Sequence, residues 1–191
     1  MSRTDEDLIR QVKKGDQAAF RELLARYRNK LMGFIYSVVR DYHLAEDIFQ
    51  ETFIRVYRQA ESYKDEYKFR TWLYTIALNR ARDRLRHFKR RPEVFLDSYP
   101  DWNWRERLKS RLAGPRDLAA ARELEKIFQK QLGELSEEHR EVVVMSRLLG
   151  LKYAEIAGIL GISSGTVRSR LHYALRELRQ RMKQKPIRSS F

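Results

Sequence analysis

Seven side chains between Thr166 and Arg176 carry the most specific chemistry in this chain: Thr166, Arg168, Ser169, Arg170, His172, Tyr173 and Arg176. That chemistry is recognition rather than bond-making. Guanidinium and hydroxyl groups at the start of a projecting helix suit the DNA major groove, where base edges offer acceptors and phosphates flank them. Between them Val167, Leu171, Ala174, Leu175 and Leu178 recur at helical spacing, so one helix can bury one face and present the other. Just upstream, Tyr153, Ile156, Ala157 and Leu160 fall at i, i+3, i+4 and i+7, the face of a short helix that Gly161 can end. Either Ser163 or Ser164 can cap the second helix. Helices joined by so short a turn form a helix-turn-helix whose second member faces outward. The DNA-facing set therefore runs through Ser164, Gly165, Thr166, Arg168, Ser169, Arg170, His172, Tyr173 and Arg176. The bland alternative is an ordinary basic αα-hairpin. Gly161 and Val167 in register with Ala157 argue against it.

A second constellation lies upstream. Five rings, Tyr63, Tyr67, Phe69, Trp72 and Tyr74, fall within residues 63–74, and seven Lys or Arg follow between Arg80 and Arg91, opposed only by Asp83. Single-stranded DNA binding uses such a pairing: bases stack on rings for about 1–3 kcal/mol each while cations follow the phosphates. Phe69 and Trp72 also suit a core. A third feature is the face made by Asp47, Gln50, Glu51 and Ile54, opposite a stripe of Ile48, Phe49, Thr52, Phe53, Val56 and Tyr57. An acidic face does not touch DNA. It is either solvated or a dock for a basic protein surface.

Charge placement supports two polyanion contacts. The chain has 191 residues and a net charge of +14. Residues 150–191 and 63–91 each carry a net +7, so those two stretches hold the whole excess. No catalytic constellation competes with this reading. His43, His87, His139 and His172 are scattered, no phosphate loop or nucleophile site appears, and no metal or cofactor is expected. Without cysteine there is no disulfide framework and no Cys-bearing zinc site, which agrees with a reducing cytoplasm. Met1–Asp7 is polar and acidic rather than a signal pattern, and no apolar run reaches the roughly 18 residues of a membrane helix. A soluble, cytoplasmic protein without membrane insertion is expected.

The elements that must position these groups are all helical. Thr4 begins an N-cap run for a short helix ending near Gly15, and Asp16 starts a longer one. Its Phe20, Leu23, Leu24, Tyr27, Leu31, Phe34 and Val38 predict a core helix to about Arg40. A turn at Asp41–His43 precedes the helix with the acidic face. Glu61–Lys68 reads as a loop, and Thr71 begins the basic helix with Trp72, Leu73, Ile76 and Ala77 inward. Pro92, Pro100, Pro115 and Gly114 mark residues 92–117 as a flexible linker with room for one helical turn near Trp104–Leu112. Extended at about 3.3 Å per residue it would reach roughly 85 Å, more than the roughly 70 Å of two DNA turns. A helix from Leu118 through Leu124, Ile127 and Phe128 follows, and Ser136 caps the next, with Val142, Val143 and Leu148 inward. The fold class is all-α: two small helical domains, 1–91 and 118–185, joined by that linker and followed by a tail at 186–191.

AEDIFQETF, FRTWLYTIALNRARDRLR and LSEEHREVVVMSRLLGLKYAEIAGILGISSGTVRSRL, with their spacing, resemble bacterial RNA polymerase sigma factors. The small size and two helical domains resemble the extracytoplasmic-function group, over roughly Asp5 to Met182. The resemblance implies a region 2-type domain followed by a region 4-type domain. It implies that Asp47, Gln50 and Glu51, with Ile54 beside them, dock core RNA polymerase. It implies that Tyr63, Ile76 and Asn79 hold a base flipped from the −10 non-template strand, beside the Lys64–Lys68 specificity loop. Extruding a base costs a few kcal/mol, which a preformed ring-and-amide pocket offsets. With the rings and cations around them, the −10 set is Tyr63, Lys64, Tyr67, Lys68, Phe69, Arg70, Trp72, Ile76, Asn79, Arg80 and Arg82. Arg168, Ser169, His172 and Tyr173 match positions facing the −35 element. The implied partners are core RNA polymerase, promoter DNA and an anti-sigma factor, and the implied setting is a stress or envelope response. The alternative from the residues alone is a stand-alone dimeric helix-turn-helix regulator, which leaves the acidic face and the basic aromatic helix unused.

Overall fold

In the computed structural model, residues 3–88, 127–128 and 130–184 are described. Helix α1 (Asp5–Lys13) starts at a capping box: the Thr4 hydroxyl accepts from the Asp7 N–H at 3.1 Å and the Asp7 carboxylate accepts from the Thr4 N–H at 3.1 Å. The Thr4 hydroxyl, which also donates to the Asp7 carboxylate at 2.7 Å, and then the Thr4 N–H hold that carboxyl below its usual range. Helix α2 (Gln17–Val39) is capped by Asp16, which accepts from the Ala18 and Ala19 N–H groups at 2.8 and 3.1 Å. Arg40 closes α2 in the left-handed region, φ 59°, and Asp41 caps α3 (Tyr42–Arg58) by accepting from the Leu44 N–H at 2.6 Å. The turn expected at residues 41–43 is thus shorter, because Asp41 starts the helix itself. A 3₁₀ turn (Ala60–Ser62) leads into the loop before α4 (Phe69–Phe88), which begins two residues earlier than Thr71.

Apolar stripes of α1 to α4 converge on one core containing Leu8, Leu23, Leu31, Phe34, Ile48, Phe69, Leu73 and Tyr74. Tyr57, expected in the buried stripe, is 46% exposed at the edge, where its ring meets Phe20 at 5.2 Å.

The C-terminal half begins, among described residues, with the end of the helix that the sequence reading started at Leu118; residues 130–133 are helical. The Ser136 hydroxyl accepts from the His139 N–H at 3.3 Å and caps α5 (Glu137–Val143). The chain then widens into a π-helical turn (Val144–Leu148), which the sequence pattern does not reveal. Helices α6 (Tyr153–Leu160) and α7 (Ser164–Gln184) complete the half. No strand occurs among the described residues. The predicted linker at 92–117, the start of the helix at Leu118 and the tail at 186–191 lie outside them.

The two halves touch. Helix α4 rests on α6, and α2 rests on α5. Arg40 donates to the Gly133 carbonyl at 2.9 Å, and a Cβ at Gly133 would stand 2.2 Å from the Arg40 guanidinium. Arg82 meets the buried Glu141 at 2.8 Å. Burial pushes the Glu141 carboxyl up, with Arg82 pulling it back.

Candidate nucleic-acid interface

Gly161 turns the chain between α6 and α7 with φ 68°, a region open to glycine without steric cost. Ser163, rather than Ser164, caps α7: its hydroxyl accepts from the Thr166 N–H at 3.0 Å. Val167, Leu171, Ala174 and Leu178 are buried, which turns the opposite face outward. Ser164, Gly165, Arg168, Ser169, His172, Tyr173 and Arg176 are all exposed on that face, and Thr166 and Arg170 are half-buried. Arg168 has no ion-pair partner among the described residues. Arg170 pairs with Glu138 at 2.8 Å, and the Arg176 guanidinium lies 5.4 Å from the Tyr173 ring. One exposed helix therefore gathers the whole predicted set.

The second constellation is arranged differently from an open stacking platform. Phe69, Tyr63 and Tyr74 are buried, and only Tyr67 of the five rings is largely exposed. Phe69 lies between Tyr27 at 5.6 Å and Tyr63 at 6.1 Å, so its ring builds the core. Tyr63 packs on Trp72 at 5.3 Å and donates its hydroxyl to the Tyr67 carbonyl at 2.5 Å. Burial, then the nearby Glu6 carboxylate, pushes the Tyr63 hydroxyl up to about 12. Along α4, Trp72, Ile76 and Asn79 follow at i, i+4 and i+7; Trp72 is half-buried, Ile76 is nearly covered and Asn79 is exposed. Tyr63, against the Trp72 ring, stands at the head of this row, next to the exposed Lys64, Tyr67 and Lys68.

Most of the cations expected there are engaged within the protein. Arg70 forks onto Glu155 of α6, Nε at 2.8 Å and Nη2 at 2.6 Å, and Lys68 joins at 3.4 Å. Glu155 also accepts from the Lys152 N–H at 2.8 Å, closing the N-terminus of α6. Burial opposes ionisation of Glu155, but Arg70, that N–H and Lys68 outweigh it and hold the carboxyl below its usual range. Arg80 and Arg84 both bind Glu51 of α3, the latter at 2.6 Å. Arg82 belongs to the contact with Glu141.

On α3, Asp47, Gln50 and Ile54 are exposed, and Glu51 is half-buried under its two arginines. The face is real, yet one of its two carboxylates is already paired. The sequence reading missed Glu155, Glu6 and Lys13. The last two reach the loop from α1: Glu6 accepts from the Phe69 N–H at 3.1 Å, and Lys13 donates to the Tyr63 carbonyl at 2.6 Å. Pairs this distant in sequence leave no local spacing to detect.

An all-α chain with an exposed basic helix-turn-helix, beside a helical half with its own cationic helix, is a DNA-binding protein of transcription. Comparison places it more closely. Residues 23–91 match sigma-70 region 2, and residues 125–178 match sigma-70 region 4. The ECF RNA polymerase sigma factor SigW of Bacillus subtilis is 36% identical over 179 residues, 92% of this chain and 95% of that protein. The ECF RNA polymerase sigma-E factor of Escherichia coli K12 is 36% identical over 174 residues, covering 90% of each. The solved structure of CnrH in complex with the cytosolic domain of CnrY superposes with a TM-score of 0.68 at 25% identity, over 95% of this chain and 98% of that one. The chain belongs to the extracytoplasmic-function RNA polymerase sigma factors. It is a sigma factor: its partners are core RNA polymerase and promoter DNA.

Proposed function

We propose that the two halves divide promoter recognition between them. The α7 face from Ser164 to Arg176 reads −35 duplex, with Arg168 as a base-reading group. The loop Lys64–Lys68 and the row of Tyr63, Trp72, Ile76 and Asn79 capture the melted −10 strand. Phe69 supports that row from beneath rather than stacking on a base. Asp47, Gln50, Glu51 and Ile54 on α3 dock core polymerase, and Arg70, Arg80 and Arg82 reach DNA once released from their carboxylates. Residues 1–91 form the region 2-type domain and 118–185 the region 4-type domain, joined by the linker at 92–117. The protein performs no covalent chemistry and works in the cytoplasm. No helix among the described residues is long and apolar enough to cross a membrane. An anti-sigma factor that holds it inactive, and a stress or envelope signal that releases it, follow from the family.

One observation carries this assignment: α7 buries Val167, Leu171 and Ala174 and leaves Arg168, Ser169, His172, Tyr173 and Arg176 of the predicted −35 set exposed. The test is run-off transcription with purified core polymerase on a genomic promoter pool, paired with core pull-down. Selective new start points preceded by one −35 and one −10 motif are expected. Failure of the intact protein to bind core, or to redirect it to any start, overturns the assignment. Footprinting without polymerase addresses the stand-alone regulator: a tight, symmetric footprint would favour that reading.

A further inference from the structure

Helix α1 lies before the residues that match sigma-70 region 2. One side of it is buried through Leu8, Ile9 and Val12, which fixes the helix to the core. The side at positions 6, 10 and 13, spaced i, i+4 and i+7, does something else. It reaches both ends and the middle of the loop between Tyr63 and Phe69. Glu6 accepts from the Phe69 N–H at 3.1 Å, satisfying a donor at the start of α4 that has no partner in its own helix. A carboxylate at that end is also favoured by the helix dipole. Lys13 donates to the Tyr63 carbonyl at 2.6 Å, and its ammonium sits 5.5 Å from the Tyr63 ring centre. Arg10, steadied by Asp7 at 3.0 Å, reaches Asp65 at 3.4 Å. Within the loop the Tyr63 hydroxyl ties to the Tyr67 carbonyl at 2.5 Å. The exposed Lys64, Glu66, Tyr67 and Lys68 therefore project from a loop anchored at its start, middle and end.

We propose that the Glu6–Arg10–Lys13 face of α1 is a positioning element for −10 base selection, holding the Tyr63–Phe69 loop in the one shape that reads the melted strand. This rests on the assignment of that loop to the −10 element. A braced loop presents a single set of donors and rings. A slack one adopts several shapes, binds more than one base and gives up discrimination, since ordering is then charged against every complex. Glu6 and Lys13 touch no base themselves; they act through the Phe69 N–H and the Tyr63 carbonyl.

The test uses holoenzyme assembled from core polymerase and full-length protein, on promoters with a fixed −35 and single changes across the −10. Glu6→Ala and Lys13→Met are expected to reduce the rate ratio between the preferred and changed −10 bases by roughly three- to tenfold, the worth of a few groups held in place. Core affinity and −35 preference should stay as in the parent protein, and Lys13→Arg should restore the ratio. Arg10→Ala, at the exposed rim, offers a third reading should either of the others fold poorly, with a smaller loss in the same direction. Variants that melt earlier yet keep the parent −10 ratio would reduce α1 to a scaffold and overturn the inference. A parent protein that confers no −10 preference would instead overturn the assignment of the loop.

Discussion

Glu51 shows how one side chain can confuse two questions. It belongs to the α3 face assigned to core polymerase, and it also binds Arg80 and Arg84 of α4. Removing it therefore perturbs the protein's own α3–α4 contact as well as any dock. Gln50 and Asp47 are exposed and free of that complication. Gln50→Ala is expected to weaken core binding with no change in melting temperature. Glu51→Ala is expected to weaken core binding and also lower stability, by about 0.2–1 kcal/mol for each half-exposed pair lost. Titration against labelled core, alongside thermal melts, separates the two, and unchanged core affinity for both variants contradicts the dock. Arg168 poses the parallel question at the DNA. If it reads a base edge, Arg168→Ala should cost about 1–3 kcal/mol of discrimination at one −35 position. A uniform loss across all −35 sequences would make it a phosphate contact.

Among the elements, α7 depends on a cap no wider than a hydroxyl. Ser163→Ala should destabilise the recognition helix by about 1 kcal/mol, read from denaturant melts or from faster amide exchange at Thr166. An unchanged exchange rate there would mean that the Ser163 bond contributes nothing. Helix periodicity made most of the fold legible in the sequence: α1, α2, α3, α6 and α7 each carry a buried stripe, and Thr4, Asp16 and Gly161 mark ends among them. What stayed hidden was set by distant parts of the chain. Helix α4 starts at Phe69 because Glu6, 63 residues earlier, caps it. The π-helical turn at Val144–Leu148 has no composition of its own. Composition shows a ring cluster at 63–74 but not which faces turn inward, and three of the five rings do.

At the scale of the molecule, the bond between Arg70 and Glu155 joins the loop-bearing half to the helix-turn-helix. While it lasts, Arg70 is not available to a strand. Glu155→Gln should loosen the two halves, seen as a larger radius of gyration in solution scattering and as a smaller response to added salt. Identical scattering curves for parent and variant would show that the pair holds nothing together. Acid should act in the same direction. The Glu155 carboxyl is held below its ordinary 4.5, so its contribution is complete above that value and is lost as pH falls through the lowered one.

Arg40 is the one non-glycine residue with positive φ among those described, and its guanidinium crosses to the Gly133 carbonyl. A left-handed backbone costs a residue with a Cβ roughly 1–2 kcal/mol. That tension can be relieved only by giving up the reach across. Arg40→Gly should therefore make α2 and α3 exchange their amides more slowly while α5 exchanges faster: a single replacement that firms one half and frees the other. If both halves were to soften together, the end of α2 would be no spring at all, only a corner.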